Sequence, residues 1–185
     1  VENDRAGGTC LNWGCIPTDA LRKNAELYHT LTHRAQEFGL KIGSIEYDWS
    51  KVIGRSRGVS DKLNKGIEFL FKKNKVDYLK GTGSIPAAGK VEVTAADGSK
   101  TTHEAANILI TTGAKSRPMP GFPFNGTTVI GSKEAMTMAT QPKSIVVIGA
   151  GAIGIEFAYF FNAYGTKVTV VEMQSNILPV EDTEV

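Results

Sequence analysis

Cysteine is scarce in this sequence, with two in 185 residues. So few cannot staple a chain this long, which excludes a disulfide scaffold. A reducing compartment is the expectation, and there a close cysteine pair is more often redox-active or metal-bound than structural. Long hydrophobic runs are missing as well. The longest, Ser144 to Ala152, is interrupted by Gly149 and Gly151 and falls far short of the roughly 20 apolar residues of a membrane helix. No sign of charge dominates: 21 Lys and Arg stand against 19 Asp and Glu, a net +2. With no basic tract, nucleic acid is not an expected partner, and neither is a membrane. What remains, 41% hydrophobic and 22% charged residues, is an ordinary globular composition. It excludes a disordered, collagenous or coiled-coil chain and suits one domain or two incomplete ones.

Both ends are abrupt. Val1-Glu2 reads as the end of a strand with no start, and the chain stops just after a strand and an acidic turn. A piece of a longer protein is expected. Between the ends, apolar residues recur at helical spacing from Thr18 to about Phe38, where Gly39 is a stop signal. Pro17 suits the first turn of that helix, where its missing N–H costs nothing. A second helix is predicted over Trp49–Lys73. Asp48 or Ser50 caps it, and Val52, Ile53, Val59, Leu63, Ile67, Leu70 and Phe71 form its apolar face. Gly54, Gly58 and Gly66 weaken it enough to allow a break.

The period then shortens. Val76–Leu79 reads as a strand. Two further strands, 90–94 and 101–106, flank the turn signal Asp97-Gly98. Asn107–Thr112 reads as a buried strand, followed by a Pro- and Gly-rich linker over 115–126. A strand (143–148), a helix (153–164) and a strand (167–171) complete the pattern, which is α/β.

Two clusters carry chemistry. The first is Cys10-Leu11-Asn12-Trp13-Gly14-Cys15, with thiols five positions apart. A regular helix would separate their Cα atoms by roughly 8–9 Å, beyond the ~7 Å a disulfide tolerates. If the two bond, the segment is irregular, which Gly14 permits. The N-terminus of the following helix would favour a thiolate at Cys15. Two other readings stay open on spacing alone. The cysteines could be unrelated and buried. They could also bind zinc with His29 and His33, four apart on the helix. Against zinc, no hairpin can be built through Cys10–Cys15.

The second cluster is Gly149-Ala150-Gly151-Ala152-Ile153-Gly154, a G-x-G-x-x-G loop between a predicted strand and a predicted helix. Glu172 ends the next strand, 18 residues beyond Gly154. This is the full context of a dinucleotide site. Gly149 allows the turn, Gly151 the approach of a pyrophosphate to the helix N-terminus, and Gly154 close helix–strand packing. Glu172 would accept from a ribose 2′-OH and repel a 2′-phosphate, favouring NAD over NADP.

The run Gly7-Gly8-Thr9-Cys10 through Cys15-Ile16-Pro17, taken with the Gly149–Gly154 loop, resembles the flavin-dependent pyridine nucleotide–disulfide oxidoreductases over nearly the whole chain. The resemblance implies partial tandem Rossmann-like domains, one FAD-binding over residues 1–117 and one NAD-binding over 118–185. It implies that Cys10 is the interchange thiol and Cys15 the thiol facing the flavin. It places FAD at Glu2, Gly8, Thr9, Gly83, Thr112, Gly113 and Ala114. Glu2 is the acidic residue for the adenosine ribose, Gly81–Gly83 a turn near the adenine, and 110–114 the stretch covering the flavin. It places NAD at Gly149, Gly151, Gly154 and Glu172, with Glu156 following the loop. No metal is implied.

Leu11, Asn12 and Ile16 together with Glu172 tilt the substrate toward a lipoamide dithiol and NAD, and away from glutathione or mercuric ion. The implied partner is the lipoamide-bearing acyltransferase of a 2-oxoacid dehydrogenase complex, in a bacterial cytoplasm or a mitochondrial matrix. The implied whole protein is a homodimer, with a phosphate loop before Val1 and a His-bearing dimerisation domain after Val185.

One departure stands out. The family usually has Lys at the position of Asp19, paired with the acid at Glu156, and an apolar residue at Arg22. Two carboxylates ~4 Å apart would repel by roughly 4 kcal/mol at an effective dielectric of about 20. A catalytically inactive nucleotide-binding fragment is therefore the alternative outside the enzymes.

Overall fold

The computed structural model describes residues 1–178 together with 182 and 184. The acidic turn expected at the end of the chain falls largely outside them. Helix α1 (Gly8–Trp13) and helix α2 (Cys15–His29) are separated by Gly14 alone. A π-helical turn (Thr30–Arg34) and a 3-10 turn (Ala35–Phe38) carry α2 to Gly39, whose φ of 72° ends it. The expected helix to Phe38 is thus present, with its last two turns rewound. Among the described residues no helix is long and apolar enough to cross a membrane.

Helix α3 (Trp49–Lys73) forms over the full predicted range, with the Asp48 carboxylate accepting from the Lys51 N–H at 3.2 Å. No break occurs at its glycines. All three face solvent, so they weaken the helix without opening a gap in its packed face. The packed face differs from the expected one. Val52, Ile53, Ser56, Ser60 and Asn64 are buried, whereas Leu63 and Leu70 are exposed. Small polar side chains let α1 and α2 approach closely, and the C-terminal apolar stripe of α3 extends past them.

Three strands follow in an antiparallel sheet, β1 (Thr82–Ala87), β2 (Lys90–Thr94) and β3 (Lys100–Glu104), in the order β1-β2-β3. The hairpin β2–β3 closes at Asp97-Gly98 as expected, with Val93 opposite Thr101. Strand β1 was not legible. Its six residues are all exposed, and its register slips between Ser84 and Ala87, where Pro86 cannot donate to the ladder.

Two predicted strands are not formed. Residues 76–79 contribute only the bridge beside them, with Glu2 paired to Lys80. Residues 107–112 have no ladder, and Leu109 is 85% exposed. An apolar run becomes a strand only when neighbours accept its N–H and C=O groups, and no described strand lies alongside.

The last unit is β4 (Ser144–Ile148), α5 (Ala152–Ala163) and β5 (Lys167–Val171), with β4 and β5 parallel and Ile148 opposite Val171. A short helix α4 (Ser132–Ala135), absent from the sequence reading, precedes it. One core joins these elements. Leu21 and Ala25 of α2, Val52 and Ile53 of α3, Met136 after α4, and Phe157, Phe160 and Phe161 of α5 pack together. Trp49 lies over Phe160 at 5.4 Å and donates its indole N–H to the Met138 carbonyl at 2.8 Å. Tyr164 stacks on Tyr28 at 4.9 Å, and burial pushes its hydroxyl up to about 12.

Phe161 is fully buried at the centre of this cluster. Phe161→Ala should cost about 3–5 kcal/mol, the usual range for deleting a buried aromatic ring. Urea unfolding measures it, and a loss under about 1 kcal/mol would show that the helices do not share this core.

Candidate functional site

The cysteine pair is built by a chain reversal. Gly7 enters α1 with φ 100°, and Gly14 leaves it with φ −145° and ψ −119°, outside helical geometry. The reversal places Cys10 and Cys15 in a disulfide with Cα atoms 4.7 Å apart. A Cβ on Gly14 would stand 3.2 Å from both the Cys10 Cα and the Thr9 carbonyl oxygen. That is tighter than ordinary packing, so a side chain here would push the Cys10 and Thr9 backbone away by a few tenths of an ångström. Both cysteines are exposed, and Cys15 is the first residue of the 15-residue α2. Its sulfur therefore lies where free N–H groups and the helix dipole favour a thiolate.

The zinc reading fails on this geometry. The cysteines bond each other, and His29 and His33 stack at the far end of α2, about 20 Å along the helix from Cys15.

The flanks of the pair are tied down by polar contacts. Buried Asn12 donates through Nδ2 to the carbonyls of Ala6 at 2.8 Å and Gly8 at 3.0 Å. Asn64 of α3 donates to the same Ala6 carbonyl at 2.6 Å. Thr9 lies beside Gly113, where an added Cβ would be 3.5 Å from the Thr9 Oγ1. Gly8, Thr9 and Gly113 thus border one exposed region with the cysteines, and Thr112 and Ala114 flank Gly113 on an exposed, irregular segment. Glu2 stands elsewhere. Its backbone bridges Leu79 and Gly81, both at 3.0 Å, and its carboxylate accepts from the Asp4 N–H at 2.8 Å. Gly83 is not in a turn, as expected, but in β1 opposite Val93, beside Val1.

The glycine loop sits between β4 and α5. Gly149 has φ 97°. A Cβ on Gly154 would collide with the Gly149 carbonyl oxygen and lie 3.2 Å from Val147 Cγ1, so close helix–strand packing requires this glycine. A Cβ on Gly151 would meet nothing within 4 Å, and no side chain caps α5. Among the described residues no side chain accepts from the first N–H groups of α5, which a pyrophosphate would need to find free, while Leu178 N–H donates to the Ala150 carbonyl at 2.9 Å beside them. Glu172 closes the loop. Its Oε2 accepts from the Ala150 N–H at 2.7 Å, and its Oε1 from Met173 and Gln174 at 2.7 and 2.8 Å. The N–H groups of Ala150, then Gln174, hold this carboxyl below its ordinary 4.5.

Asp19, expected to stand against Glu156 with no cation between them, has a cation beside it. Asp19 pairs with Arg22, one turn on, at 2.5 Å. That hydrogen bond holds the Arg22 guanidinium above its ordinary range, with smaller contributions from Glu26 and Glu156. Arg22 thus places a cation beside Asp19 on the exposed face of α2, and Glu156 adds the smallest of the contributions that raise it.

The family model described as pyridine nucleotide-disulphide oxidoreductase matches residues 1–185. The chain belongs to that family. It is 44% identical over its whole length to a dihydrolipoyl dehydrogenase from Chlorobaculum parvum, of which it covers 39%. It is 43% identical over 180 residues to a dihydrolipoamide dehydrogenase from Chaetomium thermophilum, covering 97% of this chain and 36% of that protein. The crystal structure of LpdA from Mycobacterium tuberculosis superimposes with a TM-score of 0.89 at 25% identity, covering 100% of this chain and 41% of that one. The chain thus spans about two fifths of the length of these relatives, and its α/β fold is theirs.

Residues the sequence reading missed also surround the family's disulfide motif. Trp13 lies under two cations, the Arg57 guanidinium carbon at 4.2 Å and the Lys133 Nζ at 4.1 Å from its ring centroid. Its indole N–H donates to Asp4 Oδ2 at 2.8 Å. Arg57 and Lys133 lie on α3 and α4, so no local pattern announces them.

The Glu172 carboxyl gives a pH prediction. Its folded value is depressed, so its contribution to loop order is fully present above 4.5 and is lost as pH falls through the lower folded value. The Ala150 amide resonance should titrate with a midpoint below 4.5. A midpoint at or above that value would mean the carboxylate does not hold the loop.

Proposed function

We propose that this chain is the central piece of a dihydrolipoamide dehydrogenase, which oxidises a dihydrolipoamide dithiol with NAD+ through FAD. Residues 1–117 would form part of the FAD-binding domain and 118–185 the first part of the NAD-binding domain. The observation that carries the reading is the exposed Cys10–Cys15 disulfide set at the N-terminus of α2. The relatives named dihydrolipoyl or dihydrolipoamide dehydrogenase support it.

The exchange is asymmetric by construction. A substrate thiolate attacks Cys10 Sγ, the Cys10–Cys15 bond breaks, and Cys15 leaves as a thiolate stabilised by α2. The second substrate thiol, losing its proton, attacks the substrate sulfur of the mixed disulfide and expels Cys10. The substrate is then a cyclic disulfide, and the pair holds two electrons. When bound, FAD supplies the passage of these electrons to NAD+ as hydride.

Glu2, Gly8, Thr9, Gly83, Thr112, Gly113 and Ala114 would hold FAD. Gly149, Gly151, Gly154 and Glu172 would hold NAD, with Glu156 behind the loop. The free N–H groups of α5 and the open space at Gly151 fit a pyrophosphate. The partner would be the lipoamide-bearing acyltransferase of a 2-oxoacid dehydrogenase complex, met by a homodimer in a cytoplasm or a mitochondrial matrix.

The test is dihydrolipoamide-dependent NAD+ reduction by the full-length protein. Cys10→Ser should abolish turnover, and Glu172→Ala should relax the preference for NAD+ over NADP+. Activity with glutathione or mercuric ion in place of lipoamide would move the chain to another branch of the family. Absence of any dithiol turnover would favour an inactive nucleotide-binding protein.

A further inference from the structure

We propose that Trp13 is a positioning residue for the disulfide: it clamps α1, through Arg57 and Lys133, so that Cys10 is held against Cys15. This rests on the reading of Cys10–Cys15 as an exchanging pair.

Helix α1 has six residues and no side-chain cap. A helix so short does not hold itself together in water. Its only buried residue is Asn12, whose side chain bonds the neighbouring carbonyls of Ala6 and Gly8. Cys10 itself is exposed and anchors nothing. Apart from Thr9 beside Gly113, the contacts described from α1 to distant segments fall on Trp13 and the carbonyl beside it.

Three segments meet there. Arg57 of α3 stands over the indole at 4.2 Å and donates through NH1 to the Asn12 carbonyl at 2.9 Å. Lys133 of α4 stands over the same ring at 4.1 Å. Asp4 accepts the indole N–H at 2.8 Å and lies 3.6 Å from Lys133 Nζ, so one carboxylate offsets the cation and orients the ring. Tryptophan is the side chain best suited to this, having the most electron-rich face and an N–H on its edge.

The clamp acts on the equilibrium between two thiols and a disulfide. Oxidised dithiothreitol takes two electrons and two protons from Cys10 and Cys15, becoming the dithiol as the Cys10–Cys15 bond forms. The constant for that reaction depends on how often Cys10 Sγ stands beside Cys15 Sγ in the reduced protein, an effective concentration set by the order of α1. Loosening α1 lowers it and makes the disulfide easier to reduce.

The experiment equilibrates the full-length protein as wild type, Trp13→Ala, Trp13→Phe, Arg57→Gln and Lys133→Gln in dithiothreitol redox buffers at pH 7. Thiols are trapped by alkylation and the labels at Cys10 and Cys15 are read by peptide mass. Trp13→Ala should lower the closing constant about tenfold, equivalent to about 30 mV for a two-electron couple. Trp13→Phe, which keeps an aromatic face, should recover most of that loss. Arg57→Gln and Lys133→Gln should each shift it in the same direction by a smaller factor.

A Trp13→Ala constant within twofold of wild type overturns the proposal. If Trp13→Ala fails to fold, unchanged constants in both cation variants overturn it equally. A wild type whose cysteines never close reversibly would instead overturn the functional reading, and this proposal with it. Reversible closure in wild type with no effect of the variants would leave the functional reading standing and sink only the clamp.

Discussion

The break in the helix at Gly14 is the constraint on which the rest depends. One residue outside helical geometry brings Cys10 and Cys15 to 4.7 Å between Cα atoms, and a Cβ there would press on the Cys10 backbone. A continuous helix through this segment would hold the two sulfurs too far apart to bond. The break also makes Cys15 the first residue of a long helix, so the same local feature that closes the disulfide creates the asymmetry between its sulfurs. In the proposed exchange, attack at Cys10 would be favoured because Cys15 would leave at a helix N-terminus.

The second half of the chain uses glycine in another way. Gly154 removes the Cβ that would separate α5 from the Gly149 turn, and among the described residues no side chain caps the first N–H groups of α5. Glu172 returns across β5 to hold that turn by the Ala150 N–H. The two halves are joined through one core, in which the aromatic side chains of α5 pack against α2, α3 and Trp49. The helix bearing Cys15 at its head is thus fixed by the helix that follows the glycine loop.

Much of this was legible from residue patterns. The extent of α3, though not its packed face, could be read from its apolar spacing and Asp48 cap, and the β4–loop–α5–β5 unit from its glycines and Glu172. The disulfide motif could be located, though spacing alone left its pairing open. What could not be read were features fixed by distant partners. The apolar run at 107–112 has the composition of a strand, but strand formation depends on neighbours that composition does not reveal. Strand β1 has neither alternation nor burial and exists because β2 pairs with it. The Asp19–Arg22 pair was also missed, because a surface carboxylate takes a cation one helical turn away and the expectation weighed Asp19 only against Glu156. Trp13 gave no signal because its two cations come from other helices.

The central claim is that Cys10 and Cys15 are one reversible disulfide across the Gly14 break. Alkylation of the native, oxidised protein under denaturing conditions, read by peptide mass at Cys10 and Cys15, tests it directly. The account predicts no label on either cysteine before treatment with dihydrolipoamide, a label on each after it, and a linked peptide joining Cys10 to Cys15 in an unreduced digest. Labels on both without reductant, or a link from either to another chain, would contradict it.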